Sequence, residues 1–168
     1  IHRREHEMTR PNGKTPVITG GATGIGRAAA KGGMDAPTAV LIGVTGGLGH
    51  ALARLLAAEG FRMVLAARRE YDAAALTGRS DGSAIYLRAD VTDPASLEKL
   101  AAAAFEHLGR IDAVVNLAGI SPRKSIEDYT PADVDALLAV NVKGPIFVTQ
   151  AFLPGLRKQA GGGVVVHL

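Results

Sequence analysis

Gly43, Gly47 and Gly49 stand in a Gly-x-x-x-Gly-x-Gly run, Ile42-Gly43-Val44-Thr45-Gly46-Gly47-Leu48-Gly49-His50, between an apolar segment and a helical pattern. Glycines at this spacing remove Cβ atoms from a turn of backbone, so a pyrophosphate can approach the chain closely. The helix behind the turn offers free N–H groups and the positive end of its dipole. Strand, glycine loop and helix in that order are what a dinucleotide-binding βαβ unit requires. Gly43, Thr45, Gly47, Leu48 and Gly49 are therefore candidate cofactor-binding residues. Gly49 has a plainer reading as well, since a glycine there permits close helix–strand packing.

A second constellation lies about 20 residues further on, where a fold specific for NAD places a carboxylate for the ribose 2′-OH. Here the strand ends Leu65-Ala66-Ala67-Arg68-Arg69, with Ala67 at the acid's place and two guanidiniums after it. A carboxylate would repel a 2′-phosphate, whereas arginine binds one through bidentate, charge-assisted hydrogen bonds. Arg68 and Arg69 thus favour NADP(H) over NAD(H). The bland alternative is two solvated arginines with Glu70 as their partner.

The elements that must position these groups can be read from Thr38 onward, where short apolar runs alternate with helical stretches. Strands are expected at Thr38–Ile42, Met63–Ala67, Ala84–Ala89, Ala113–Asn116 and Val164–Leu168. Leu48, Leu52, Leu55 and Leu56 form a stripe at helical spacing that stops at Gly60. A second helix has Asp93 as N-cap, Pro94 at its first position and the stripe Leu97, Leu100, Ala101, Ala104, Phe105 and Leu108 before Gly109. A third opens at Thr130-Pro131 and runs through Val134, Leu137 and Leu138, with Gly144-Pro145 expected to kink or break it. Short connections between strands and helices imply right-handed crossovers and a parallel sheet.

Composition narrows the function classes. The chain has 168 residues, enough for one core and an arm, and few aromatics among many glycines and alanines. The absence of cysteine excludes disulfides, thiolate zinc sites and a thiol nucleophile. His2, His6, His50, His107 and His167 show no ligand spacing, so no metal is expected. No apolar run approaches the ~18 residues of a membrane span, and Arg3-Arg4 lacks the apolar stretch of a secretory signal. A cytoplasmic protein without membrane attachment is the expectation. Arg3, Arg4, Arg10, Lys14, Arg27 and Lys31 face only Glu5 and Glu7 in a basic arm. No aromatic interleaves these charges, so a solvated leader is expected and no nucleic acid.

That arm holds a second fingerprint, Pro16-Val17-Ile18-Thr19-Gly20-Gly21-Ala22-Thr23-Gly24-Ile25-Gly26-Arg27. Its helix reaches only Lys31 before Gly32-Gly33, and no strand follows before the next fingerprint. Residues 1–37 read as a poorly ordered leader with a vestigial copy, of the kind a gene fusion or shifted start would leave. The alternative is that the first copy supplies an added strand or displaces the second. Residues 38–168 read as the Rossmann domain.

Three further motifs make a resemblance specific. Ala89-Asp90-Val91-Thr92 follows the third of the strands from Thr38, Asn116-Leu117-Ala118-Gly119 the fourth, and Asn141-Val142-Lys143-Gly144 lies in the third helix. With the glycine loop, they make residues 38–168 resemble the first two-thirds of a short-chain dehydrogenase/reductase. The resemblance implies a Rossmann-type doubly wound parallel sheet of the α/β class, here cut off after about five strands. It implies that Asp90 and Val91 lie at the adenine region. It also implies that Asn116, Ala118 and Gly119 close over the cofactor, and that Asn141 belongs to the catalytic set, holding a proton-relay water. Each also has a bland reading: Asp90 and Asn116 could cap turns, and Asn141 could be a structural hydrogen-bonder. Pro145 is an unusual follower of Gly144.

The family's chemistry further needs a serine and a Tyr-x-x-x-Lys pair, in which the lysine lowers the pKa of a tyrosine that transfers the proton. Four residues beyond Tyr71, Tyr86 and Tyr129 lie Ala75, Asp90 and Asp133, so the pair is absent. The resemblance therefore implies an NADP-dependent oxidoreductase transferring hydride between nicotinamide and a small-molecule carbonyl or alcohol. It is present here as a cofactor-binding fragment expected to be inactive alone. The rival readings are a non-catalytic NADP(H)-binding or interaction module, and a product with no stable fold. Val164-Val165-Val166 is expected to be paired on at most one side, an edge open to a partner or to aggregation. A homo-oligomer is left open.

Overall fold

A computed structural model describes Val17–Thr19 and residues 36–168. The short apolar runs become strands and the stretches rich in leucine and alanine become helices. In chain order the elements are β1 (Val17–Thr19), β2 (Thr38–Ile42), α1 (Gly47–Ala58), β3 (Arg62–Ala67), α2 (Ala73–Thr77) and β4 (Ala84–Arg88). Then come α3 (Pro94–Leu108), β5 (Ala113–Asn116), α4 (Pro131–Leu138), a π turn (Ala139–Lys143), α5 (Gly144–Lys158) and β6 (Val164–His167). The sheet order is β1-β6-β5-β2-β3-β4 with every pairing parallel. Successive connections reverse direction at β2, so the gap between the C-terminal ends of β2 and β5 is the switch point where such sheets bind ligands.

Both faces of the sheet are covered, which explains why the central strands are apolar throughout rather than alternating. Val40, Ile42, Val64, Val114 and Val165 pack beneath α3 and α5. Ala39, Leu41, Met63, Leu65, Val115 and Val166 pack on α1 and α2. The helices sit close: a Cβ on Gly155 of α5 would lie 2.2 Å from the Phe105 ring of α3. Asp93 caps α3 as its sequence predicts, its side chain accepting from Ala95 N–H at 3.0 Å.

Several expectations need correction. The Val164–Val166 edge is not open, because β6 pairs with β5 on one side and β1 on the other, with Val17 opposite Val165 and Thr19 opposite His167. The sheet has six strands, five from the Rossmann unit and one from the first fingerprint, the alternative in which that copy adds a strand. Gly20, Gly24 and Gly26 lie outside the described residues, as do the leader's other residues before 36 apart from Val17–Thr19. In α1 the buried face is Gly49, Leu52, Ala53, Leu56 and Ala57, while Leu48 and Leu55 are more than half exposed. The four-leucine stripe spans two faces, and the alanines, not the outer leucines, fit beneath it. Gly144-Pro145 does not end its helix. Proline lacks the N–H that an α-turn needs and crowds the carbonyl four residues earlier. The π turn widens the ladder just before it, with Gly144 N–H donating to the Ala139 carbonyl, and the helix continues to Lys158.

Candidate cofactor site

The glycine loop leaves β2 at Gly43, whose N–H donates to the Ala66 carbonyl at 2.7 Å. Gly43 has φ +86°, and a Cβ there would lie 2.5 Å from Ala118 N. No side chain fits: the loop after β2 and the loop after β5 touch backbone to backbone at this point. Gly49 is packed just as tightly, its notional Cβ 2.5 Å from Val44 Cα. This is the packing role set out for it as the plainer reading. Gly46 and Gly47 differ, since a Cβ at either would meet nothing within 4 Å. They leave bare backbone at the start of α1, where no side chain caps the helix and no acidic residue occupies its first turn. Thr45 and Leu48 flank this backbone and are exposed.

At the end of β3, Arg68 and Arg69 are exposed beside the glycine loop. Among the described residues the ion pairs are Arg79–Asp81, Arg110–Asp112 and Lys124–Asp133, so Glu70 does not engage these arginines. A third guanidinium joins them, which sequence inspection overlooks. Arg88 stands opposite Ala67 in the register of β3 and β4, and its Nε donates to the Arg68 carbonyl at 3.1 Å. Only the strand register could have revealed it. Tyr86 OH likewise donates to the Arg69 carbonyl.

Asp90 accepts from Thr92 N–H at 2.9 Å and Thr92 Oγ1–H at 2.8 Å, the turn-capping geometry. Partial burial pushes its carboxyl up, but the Thr92 bonds and the charges of Arg68 and Arg88 outweigh that and hold it below the usual carboxylate range. Val91 is buried, its side chain against Gly144, where a Cβ would stand 3.1 Å from Val91 Cγ2.

Asn116 is buried at the end of β5, its Oδ1 accepting from Ala118 N–H at 3.1 Å. Asn141, in the π turn, grips the same loop further on. Its Oδ1 accepts from Ile120 N–H at 2.9 Å and its Nδ2 donates to the Ile120 carbonyl at 2.8 Å. π turns frequently mark functional positions. A hollow of about 360 Å³ opens here, lined by Ala118–Ser121, Asn141, Pro145 and Leu168. None of the tyrosines lines it. Tyr129 donates to the Pro122 carbonyl at 3.0 Å, and Tyr71 stacks edge-on against His50 at 5.4 Å between ring centroids.

Gly43 thus meets Ala118 at the ends of β2 and β5, with Gly46 and Gly47 following at the start of α1, Arg68, Arg69, Arg88 and Asp90 after β3 and β4, and Asn141 beside Gly119 and Ile120. Residues 37–167 match the family profile described as short chain dehydrogenase. An uncharacterized oxidoreductase of Staphylococcus epidermidis is 36% identical over 127 residues, 76% of this chain and 55% of that protein. A Streptomyces violaceoruber protein named as ketoacyl reductase 2 of the granaticin polyketide synthase is 36% identical over 134 residues, 78% and 54% of the two chains. Among solved structures, an NADH-dependent reductase complexed with NAD superposes with a TM-score of 0.69 at 26% identity, covering 80% of this chain and 59% of that one. The chain thus spans about half the length of the curated relatives it matches. Sheet order, glycine loop and profile together leave one assignment: this chain belongs to the short-chain dehydrogenase family.

Proposed function

We propose that the chain binds NADP(H) in the crevice between the ends of β2 and β5, as the cofactor-binding part of an oxidoreductase acting on a carbonyl or alcohol. The residues present fit such a group. Bare backbone at Gly46 and Gly47 leaves room that a Cβ would fill, and the uncapped start of α1 turns N–H groups toward it. Once bound, a nicotinamide cofactor supplies or accepts hydride. The chain's own contribution is to seat the pyrophosphate on the glycine loop, the adenosine end beside Asp90 and Val91, and the nicotinamide end by Ala118, Gly119 and Asn141.

The observation that carries the NADP(H) preference is the placing of Arg68, Arg69 and Arg88 together at the ends of β3 and β4, where among the described residues none of the three forms a salt bridge and Asp90 is the counter-charge felt by Arg68 and Arg88. Three cations meet a 2′-phosphate favourably and gain little from a bare 2′-OH. The test is a fluorescence titration of the 168-residue chain with NADPH and NADH. Arg68→Ala combined with Arg69→Ala should weaken NADPH binding by about tenfold or more and leave NADH binding close to unchanged. Equal losses for both cofactors would refute the phosphate reading.

The same chain is proposed to bind without turning over. It has no Tyr-x-x-x-Lys pair, and its three tyrosine hydroxyls lie outside the Asn141 hollow. Steady NADPH oxidation by the pure chain with any carbonyl substrate would overturn this. The second reading, a nucleotide-binding module with no catalytic role, rests on the same placement of the tyrosines and shares the binding prediction.

A further inference from the structure

His167 ends β6, directly opposite Asn116 in the register of β5 and β6. Its ring is half-buried, with Nδ1 3.4 Å from Asn116 Nδ2 and Nε2 2.9 Å from Thr149 Oγ1 on α5. Thr149 Oγ1 also lies 2.9 Å from the Pro145 carbonyl.

The protons of this cluster follow from chemistry alone. Asn116 Oδ1 is occupied by Ala118 N–H, so its Nδ2, a donor, is the atom that faces His167. His167 Nδ1 must then be the bare, accepting nitrogen, which puts the single ring proton on Nε2. That N–H donates to Thr149 Oγ1, whose one hydrogen is left for the Pro145 carbonyl. All four bonds run in one direction: Ala118 to Asn116, Asn116 to His167, His167 to Thr149, and Thr149 to Pro145.

We propose that His167, as a neutral imidazole protonated on Nε2, is a positioning residue that locks the 117–120 loop to the helix carrying Asn141. The loop is gripped at two points from one helix. Asn141 holds Ile120 directly, and Thr149 holds Ala118 through His167 and Asn116. Ala118 is also the residue against which Gly43 is pressed, so its position sets the width of the crevice. A valine or leucine in place of His167 would leave buried Asn116 Nδ2 without an acceptor. A protonated ring would turn an N–H toward another N–H.

Burial alone holds the ring's pKa below the ordinary histidine value; among the described residues no charged group contributes to it. Among the described residues the groups facing it are uncharged: Asn116 from β5, Thr149 with the Pro145 carbonyl from α5, and Thr19 of β1 opposite it in register. The folded-state pKa is depressed, so the locked state is fully present above about 6.5 and is lost as pH falls through the lower, folded value.

Two measurements on the whole chain test this. The first is ¹⁵N NMR of the His167 ring, which should show a protonated Nε2 and a bare Nδ1 at pH 7.5; the opposite tautomer would overturn the proposal outright. The second compares His167→Gln, which keeps a neutral donor and acceptor, with His167→Leu, which keeps bulk alone. His167→Leu should shift the Ala118 and Ile120 amide resonances and weaken NADPH binding about tenfold, the factor one hydrogen bond of ordinary strength supplies. His167→Gln should restore both, and should lack the wild-type loss of affinity in acid. Unmoved Ala118 and Ile120 resonances in a folded His167→Leu chain would sink the idea. The affinity arm rests on the proposed cofactor reading, whereas the tautomer and the amide shifts do not. A chain that fails to bind NADPH yet shows both would refute the first proposal and keep this one.

Discussion

Single residues separate the glycines of the loop into two kinds. Gly43 cannot be replaced without moving the neighbouring loop, because of its positive φ and a backbone nitrogen 2.5 Å from where a Cβ would stand. Gly43→Ala should cost about 2 kcal/mol or more in urea unfolding, from backbone strain and overpacking together. Gly47 has open space on that side, so Gly47→Ala should change stability by less than about 0.5 kcal/mol. The added methyl instead occupies the ground a pyrophosphate needs, and NADPH affinity should fall while the fold is untouched. If Gly47→Ala bound NADPH as tightly as the parent, the loop would not be the phosphate seat. At this scale the sequence was a good guide wherever a contact is local: the Asp93 cap on Ala95, the Asn116 bond to Ala118 and the packing of Gly49 on Val44 were legible because the partners lie a few residues away, whereas the contact of Gly43 with Ala118 spans two loops. Arg88, Thr149 and His167 were not, since each gains its meaning from a strand register or helix contact that no local pattern encodes.

Elements carry a different kind of information, and the helix from Pro131 to Lys158 is the clearest case. It is 28 residues long, with a mean hydropathy of 1.4 over its most apolar window, of which only 22% is buried. Its apolar residues divide between two faces. Val148, Phe152 and Leu156 are fully buried against the sheet and α3, which makes the helix a layer of the fold. Val134, Leu138, Val142 and Ile146 recur every four residues and are between 43% and 51% exposed. These four side chains leave an apolar line along the outer face of the helix, opposite the buried one. The helix itself was visible in the sequence, but its continuity through Gly144-Pro145 was not. A proline rule assumes an α-ladder, and the π turn changes the ladder.

For the whole molecule, the question is what closes the sheet. In the doubly wound order 3-2-1-4-5-6, the strands β4, β3, β2, β5 and β6 fill the first five places, and β1 fills the sixth. A strand from ahead of the first glycine run thus lies beside one from the far end of the chain, Val17 against Val165 and Ile18 against Val166. No periodicity could announce this, because pairing between sequence-distant segments is a property of the assembled sheet. The physical need was readable all the same: Val164-Val165-Val166 is an apolar edge, and an unpaired apolar edge invites another chain. Removing residues 1–33 tests whether β1 meets that need. Three residues of parallel ladder contribute a few hydrogen bonds of ordinary strength, so the shortened chain should melt about 4 °C or more lower, exchange its β6 amides faster, and aggregate with rising concentration. The Asn116–His167 pairing lies on the other side of β6 and does not involve β1, so NADPH affinity should change far less than stability. If melting temperature, β6 protection and solubility all survived the deletion, β1 would be a passenger on the sheet and the edge would be tolerated without it.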